Sequence, residues 1–124
     1  MERYLKRLKH DPDNAQLHYS LGVVYSKTNR PEEALTEYQT TVLLNPNHKN
    51  ALFNMAWVYA ARQDWPQAAE YYERVVNLPM ENREIDRQAY EYLSMVYKNM
   101  GQDQKVQWSL ERMKHLEESL KKND

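Results

Sequence analysis

Four histidines, His10, His18, His48 and His115, are the side chains of this sequence best suited to metal or proton chemistry, and no two stand at a ligand spacing such as HExxH. His18 lies in an apolar run, LHYSLGVVY, where a packing role is the simpler assignment. The carboxylates are scattered among lysines and arginines along polar stretches, which is the pattern of a solvated helix face and not of a paired acid and base. Glu117, Glu118, Lys121 and Lys122 form one such charged helix end. There is no cysteine, so disulfides and thiolate metal sites are out, and the compartment stays open with the cytoplasm slightly ahead. Neither of the two glycines has the company of a phosphate-cradling loop or a nucleophile elbow. The expectation is a non-catalytic protein with no metal and no cofactor.

The side chains the chain does supply are large contact formers. Ten Tyr, three Trp and six Met stand against one Phe and two Gly, a composition poor in strand-turn punctuation that favours an all-α fold. Seventeen Lys and Arg against eighteen Asp and Glu give a formal net charge of −1, so no charge field points toward nucleic acid or an anionic membrane. No segment has the length and apolarity of a membrane span, and the basic start MERYLKRLKHDPD lacks the apolar run of a secretory signal.

A period organises these residues. His18, Leu21, Gly22 and Tyr25 recur 34 positions later as Leu52, Met55, Ala56 and Tyr59, and Ala34 and Tyr38 recur as Ala68 and Tyr72. A third copy follows at an offset of 38, with Tyr90, Leu93, Ser94 and Tyr97 and then Val106 and Leu110. The four extra residues fall in PMENREIDRQ, where helical spacing is kept, so they predict one additional turn on the front of a helix. Each copy has the spacing of two amphipathic helices. The first helices are expected over 15–28, 49–62 and 83–100, and the second over 31–44, 65–78 and 103–121. Pro31 and Pro66 suit first-turn positions, Asp64 suits an N-cap, and Gly101 suits a left-handed helix stop. Gly22, with small counterparts Ala56 and Ser94, marks a point where two helices approach too closely for a larger side chain.

This pattern resembles the tetratricopeptide repeat (TPR), carried by HYSLGVVY with Ala34, Tyr38 and Pro46, by LFNMAWVY with Ala68 and Tyr72, and by YEYLSMVY. The third copy departs from it, with Val106 at the small position of the second helix and Glu118 in place of the proline. The resemblance implies a right-handed superhelical solenoid of antiparallel helix pairs. The expected organisation is a single domain over 1–124, with a half-repeat helix over 1–12 and repeats over 15–48, 49–82 and 83–124. The opening helix looks like the second half of a repeat whose first half is absent, as a trimmed longer chain or a natural half-repeat start would give, with trimming slightly ahead. Its Leu5 and Leu8 would cover Leu17, Leu21 and Val24. At the other end Gln107 and Lys114 replace the apolar residues Leu35 and Val42, or Ala69 and Val76, that the family turns toward a following repeat, so the last helix reads as a cap. Trp108 has no obvious cover; it either packs along the last helix or meets another chain.

In the family resembled, first helices line a concave groove in which ligand peptides lie. Carried over residue by residue, the lining is Gln16, Tyr19, Val23, Ser26 and Lys27, then Asn50, Phe53, Asn54, Trp57 and Ala61, then Gln88, Glu91, Tyr92, Met95 and Asn99. The expected binding set is Tyr19, Val23, Lys27, Asn50, Phe53, Asn54, Trp57, Gln88, Tyr92 and Met95, an apolar and aromatic surface framed by amides, centred on Phe53 and Trp57. Some of these side chains could equally pack between helices. The carboxylate clamp of chaperone-binding members retains only Asn54, with Tyr19, Val23, Gln88 and Tyr92 at its other positions, so chaperone C-terminal peptides are disfavoured. RNA would require a basic track that this lining lacks. The expected function is a monomeric protein–protein interaction module for a peptide or partner helix with apolar anchors; the alternative is a scaffold that self-associates through its repeats.

Overall fold

The computed structural model describes residues 1–122. The described residues form seven α-helices: α1 (Glu2–His10), α2 (Ala15–Lys27), α3 (Pro31–Leu44), α4 (Lys49–Ala61), α5 (Trp65–Asn77), α6 (Arg83–Asn99) and α7 (Asp103–Lys122). The last two residues of the expected third repeat and the side chains of Lys121 and Lys122 lie outside what is described. The chain forms two compact units, Met1–Val58 and Tyr59–Asp124, with the boundary inside α4.

Local chemistry sets the helix ends. The Asn14 side chain accepts from the Leu17 amide at 3.2 Å, Asp64 accepts from the Gln67 amide at 3.4 Å, and Asn82 accepts from the Glu84 amide at 2.9 Å, each satisfying a donor that a first turn leaves orphaned. Pro31 and Pro66 occupy first-turn positions, where their missing N–H costs nothing. α6 has 17 residues against 13 in α2 and in α4, so the inserted residues do form one extra turn at the front of a helix.

Three of the turns share one geometry. Asn29, Gln63 and Gly101 have φ of 60°, 61° and 72°, and the residue after each returns its amide to a tyrosine carbonyl five positions back. Those bonds are Arg30 to Tyr25 at 2.8 Å, Asp64 to Tyr59 at 2.9 Å and Gln102 to Tyr97 at 2.9 Å, the Schellman closure of a helix. The glycine stop was legible in the sequence at Gly101; at Asn29 the same backbone is held by the residue type that adopts it most readily after glycine, and at Gln63 by one that ordinarily avoids it.

In the first unit α2 and α3 pack as a hairpin around Leu17, Leu21, Ala34, Leu35 and Tyr38, all buried, and α4 adds Ala51, Leu52, Met55, Ala56 and Val58. At Gly22 the two helices come into close approach. A Cβ there would lie 2.6 Å from Tyr38 Cε1, 2.8 Å from Tyr38 Cδ1 and 3.3 Å from the Glu37 Cβ, so the glycine is a steric necessity of the α2–α3 contact. α1 packs on α2 but buries no residue of its own. Leu5, expected to cover α2, is 42% exposed, and only Leu8 is half-buried. A nine-residue helix packed lightly on α2 does not turn a whole apolar stripe inward.

In the second unit α6 packs on both α5 and α7 around Ala68, Ala69, Tyr72, Val75, Ala89, Tyr90, Leu93, Val96 and Tyr97. The register of α7 departs from the repeat. Leu110, at the position of Tyr38 and Tyr72, is 38% exposed, whereas Ser109 is fully buried, its hydroxyl donating to the Val106 carbonyl at 2.9 Å. Gln107 and Lys114 are exposed, in contrast to buried Leu35 and Ala69.

Candidate protein-interaction surface

The first unit carries seven of the ten expected binding residues on α2 and α4. The two helices are tied together by polar contacts at that surface. The Asn54 amide nitrogen donates to the hydroxyls of Tyr19 and Tyr38, each at 3.4 Å, and the Tyr19 ring lies 5.9 Å from that of Tyr38. Burial pushes the Tyr19 and Tyr38 hydroxyls above the ordinary phenol value, with the Asn54 contact opposing the shift. Both phenols are therefore neutral and able to serve Asn54 as acceptors at any physiological pH. The one asparagine left at a clamp position thus serves as a rivet between helices.

His48, which the sequence pattern did not single out, completes this cluster. Its ring lies 4.6 Å from that of Tyr19, its Nδ1 accepts from the Ala51 amide at 3.2 Å, and its Nε2 lies 3.2 Å from Gln16 Oε1. These contacts require an Nδ1 lone pair and an Nε2 proton, so the imidazole is neutral. Burial holds its pKa below the ordinary histidine value, with its own backbone contact working weakly against that. The signal available in the sequence was its place immediately before a helix, where a side-chain acceptor caps the first turn.

Around this cluster the exposure differs by residue. Trp57 is 52% exposed, an unusual state for an indole on a helix whose other large residues are buried or half-buried. Phe53 and Val23 are half-buried, and Lys27 and Asn50 are exposed.

The remaining three expected residues lie on α6 in the second unit. Tyr92 is half-buried and stacks on buried Tyr72, with ring centroids 5.8 Å apart and planes inclined by 21°, so packing takes up much of its face. Gln88 is half-buried and donates to Glu84 at 3.4 Å. Met95 is exposed and borders a hollow of about 520 Å³ that it shares with Ser94, Lys98, Val106, Gln107 and Leu110. Its neighbours are thus residues of α7, which the expectation of a surface made by first helices had not included.

Trp108 both packs and stays accessible. Its ring meets that of Tyr90 edge-on at 5.5 Å and remains 41% exposed, beside a hollow of about 330 Å³ lined by Glu73, Val76, Asn77, Tyr97 and Lys105. Tyr97 donates to Glu73 at 2.5 Å, and Lys105 sits 5.5 Å from the centre of the Tyr97 ring. Burial first, and then the Glu73 carboxylate, push the Tyr97 hydroxyl far above the ordinary phenol range. Among the described residues no three His, Asp or Glu side chains gather as a metal site, and no helix is long and apolar enough to cross a membrane.

Helix pairs closed by a repeated turn, with a small residue at the crossing and an aromatic against it, define a TPR-like helical repeat protein. Solved structures share the fold. A crystal structure of MamA superposes with a TM-score of 0.80 at 24% identity, over 91% of this chain and 64% of that one. YrrB, described as a TPR protein with an unusual peptide-binding site, gives 0.79 at 21% identity over 93% and 57%.

The chain belongs to the family of the cilia and flagella-associated protein 70 middle TPR-like domain, whose model matches residues 2–117. Among curated relatives, the human protein O-mannosyl-transferase TMTC3 is 47% identical over 58 residues, which is 46% of this chain and 6% of the transferase. The photosystem I assembly protein Ycf3 of Rippkaea orientalis is 30% identical over 91 residues, 61% of this chain and 53% of that protein. The chain therefore spans a small fraction of TMTC3 and about half of Ycf3. Domains of this fold are in general protein-interaction modules and typically non-enzymatic.

Proposed function

We propose that this chain is a non-catalytic interaction module that binds a peptide or partner helix bearing apolar anchors. Tyr19, Val23, Lys27, Asn50, Phe53, Asn54 and Trp57 form the binding set in the first unit, and Gln88, Tyr92 and Met95 contribute from the second. We further propose that residues 1–124 act as one repeat domain, with a half repeat over 1–12 and repeats over 15–48, 49–82 and 83–124. The observation that carries the reading is Trp57, a half-exposed indole on a helix fixed to α2 by the Asn54 rivet. A large rigid anchor on a prearranged surface gains contact area with little ordering cost, the property that makes aromatic residues binding hot spots. The surface has few charges, so a terminal carboxylate finds no cation at the positions of Tyr19, Val23, Gln88 and Tyr92, which disfavours chaperone C-terminal peptides. YrrB's peptide-binding site belongs to a protein of the same fold and supports the reading by analogy alone.

The test is a screen of a displayed peptide library on the purified chain, followed by titration of the strongest peptide against wild type and Trp57→Ala. The reading expects at least a tenfold loss of affinity in a variant that melts like wild type. Unchanged affinity in the folded variant refutes it. A scaffold that associates with its own copies draws support from Leu43, almost fully exposed on α3, and light scattering of a stable dimer would favour that alternative.

A further inference from the structure

His18 has a second set of contacts, separate from the proposed binding set, that join three segments of the first unit. Its Nδ1 lies 2.7 Å from Glu37 Oε2 on α3, and its Nε2 lies 2.7 Å from the Pro12 carbonyl oxygen in the α1–α2 connection. A carbonyl oxygen can only accept, and an ionised carboxylate can only accept. Both ring nitrogens therefore need a proton, and only imidazolium supplies two. A neutral ring keeps one bond and sets a lone pair against an acceptor at the other.

We propose that His18 is a pH-responsive staple: doubly protonated, it ties the α1–α2 connection to α3, and loss of one proton loosens α1 from the first unit. The charged groups acting on the ring are Glu37 from α3 and Asp13 from the connection; no lysine or arginine of α1 is among them. The side chains of His18 and Glu37 are 16% and 20% exposed, so their attraction is less screened than that of a surface pair. Burial alone would lower the pKa of the ring, but the bond to Glu37, the Pro12 carbonyl and the charges of Glu37 and Asp13 raise it above the ordinary histidine value. The sign follows from linkage. The staple is complete below the ordinary histidine value and is lost as pH rises through the raised value of His18 itself.

α1 is the element most exposed to this loss. It packs on α2, it buries no residue, and the connection that carries it onto α2 is the segment His18 holds. Release would uncover the side of α2 that α1 packs on while leaving the α2–α3 hairpin, with its own core, in place.

Nitrogen-15 NMR of the full chain tests this. At pH 6 both ring nitrogens of His18 should carry protons, and between pH 6 and pH 9 the amide signals of residues 3–11 should move with the midpoint of His18. In Glu37→Gln that movement should fall to a minor fraction, and in His18→Gln the α1 signals should sit near their high-pH wild-type positions throughout. His10→Gln removes the other histidine near α1 and should leave the effect intact. Signals of α1 that ignore pH in the wild type, or that still follow it when His18→Gln is combined with His10→Gln, overturn the proposal.

Discussion

Replacing Gly22 by alanine sets two calculable effects against each other. Alanine in place of glycine inside a helix gains about 1 kcal/mol from propensity. The added Cβ would stand 2.6 Å and 2.8 Å from two carbons of the Tyr38 ring, where ordinary contact begins near 3.4 Å, so the ring must retreat by roughly 0.8 Å. It has little room to do so. Tyr38 is fully buried, its hydroxyl is held by Asn54, and the Tyr19 ring lies 5.9 Å away. Overpacking of this kind costs about 1–3 kcal/mol, so the net effect of Gly22→Ala should be a loss of up to about 2 kcal/mol. Urea denaturation followed by circular dichroism would read it as a lower midpoint with an unchanged slope. Tyr38→Leu should be destabilising by itself, yet in the double variant the Gly22→Ala penalty should disappear, a coupling that a double-mutant cycle isolates. If Gly22→Ala is instead more stable than wild type by about 1 kcal/mol, propensity alone decides and the close-approach argument is wrong.

Other expectations follow from features already described. Gln63→Gly should stabilise the fold by about 1 kcal/mol, because glycine enters the left-handed region without a Cβ penalty, and Asn29→Gly should gain less because asparagine tolerates that region; thermal melts would show it, and a loss of stability in Gln63→Gly would contradict the turn geometry. His48 should oppose His18 in pH dependence: its lowered pKa makes its contribution complete above the ordinary histidine value and lost as pH falls below it, so His48→Gln should flatten the acid side of a stability profile measured between pH 5 and pH 7. Tyr97→Phe removes the donor to Glu73 and should cost about 1 kcal/mol in chemical denaturation, a loss that Glu73→Ala, which removes the acceptor, should share and Glu73→Gln, which keeps one, should largely avoid.

Much of the fold could be read from residue types because its rules are local and repeated. The offset of 34, the first-turn prolines, the Asp64 cap and the glycine at the α2–α3 crossing each follow from steric or hydrogen-bonding demands within a few residues. The extra turn of α6 was legible for the same reason. The register of α7 was not: the repeat pattern put Leu110 where the structure buries Ser109, because the rotation of α7 is set by its local fit against α6 and not by the repeat spacing. α1 failed to bury Leu5 for a related reason. At the candidate surface, residue type pointed to Tyr19, Asn54 and Trp57 as candidates, but not to Asn54 spending its donor on two tyrosines or to His48 closing the cluster. Those contacts join α2, α3 and α4 across as many as 35 positions, a distance over which spacing in sequence says little.

The shared turn after Tyr25, Tyr59 and Tyr97 also says where this architecture can change length. Two backbone bonds and one left-handed residue fix the passage from each first helix to its second, so an added residue there would break the closure. The passage from a second helix to the next first helix carries no such constraint, and the extra turn at the front of α6 lies on that side. Insertions engineered between α3 and α4, or between α5 and α6, should be tolerated where the same insertions after α2, α4 or α6 are not. An ancestral array built this way could grow and diverge at alternate joints only, keeping each hairpin as its unit of inheritance.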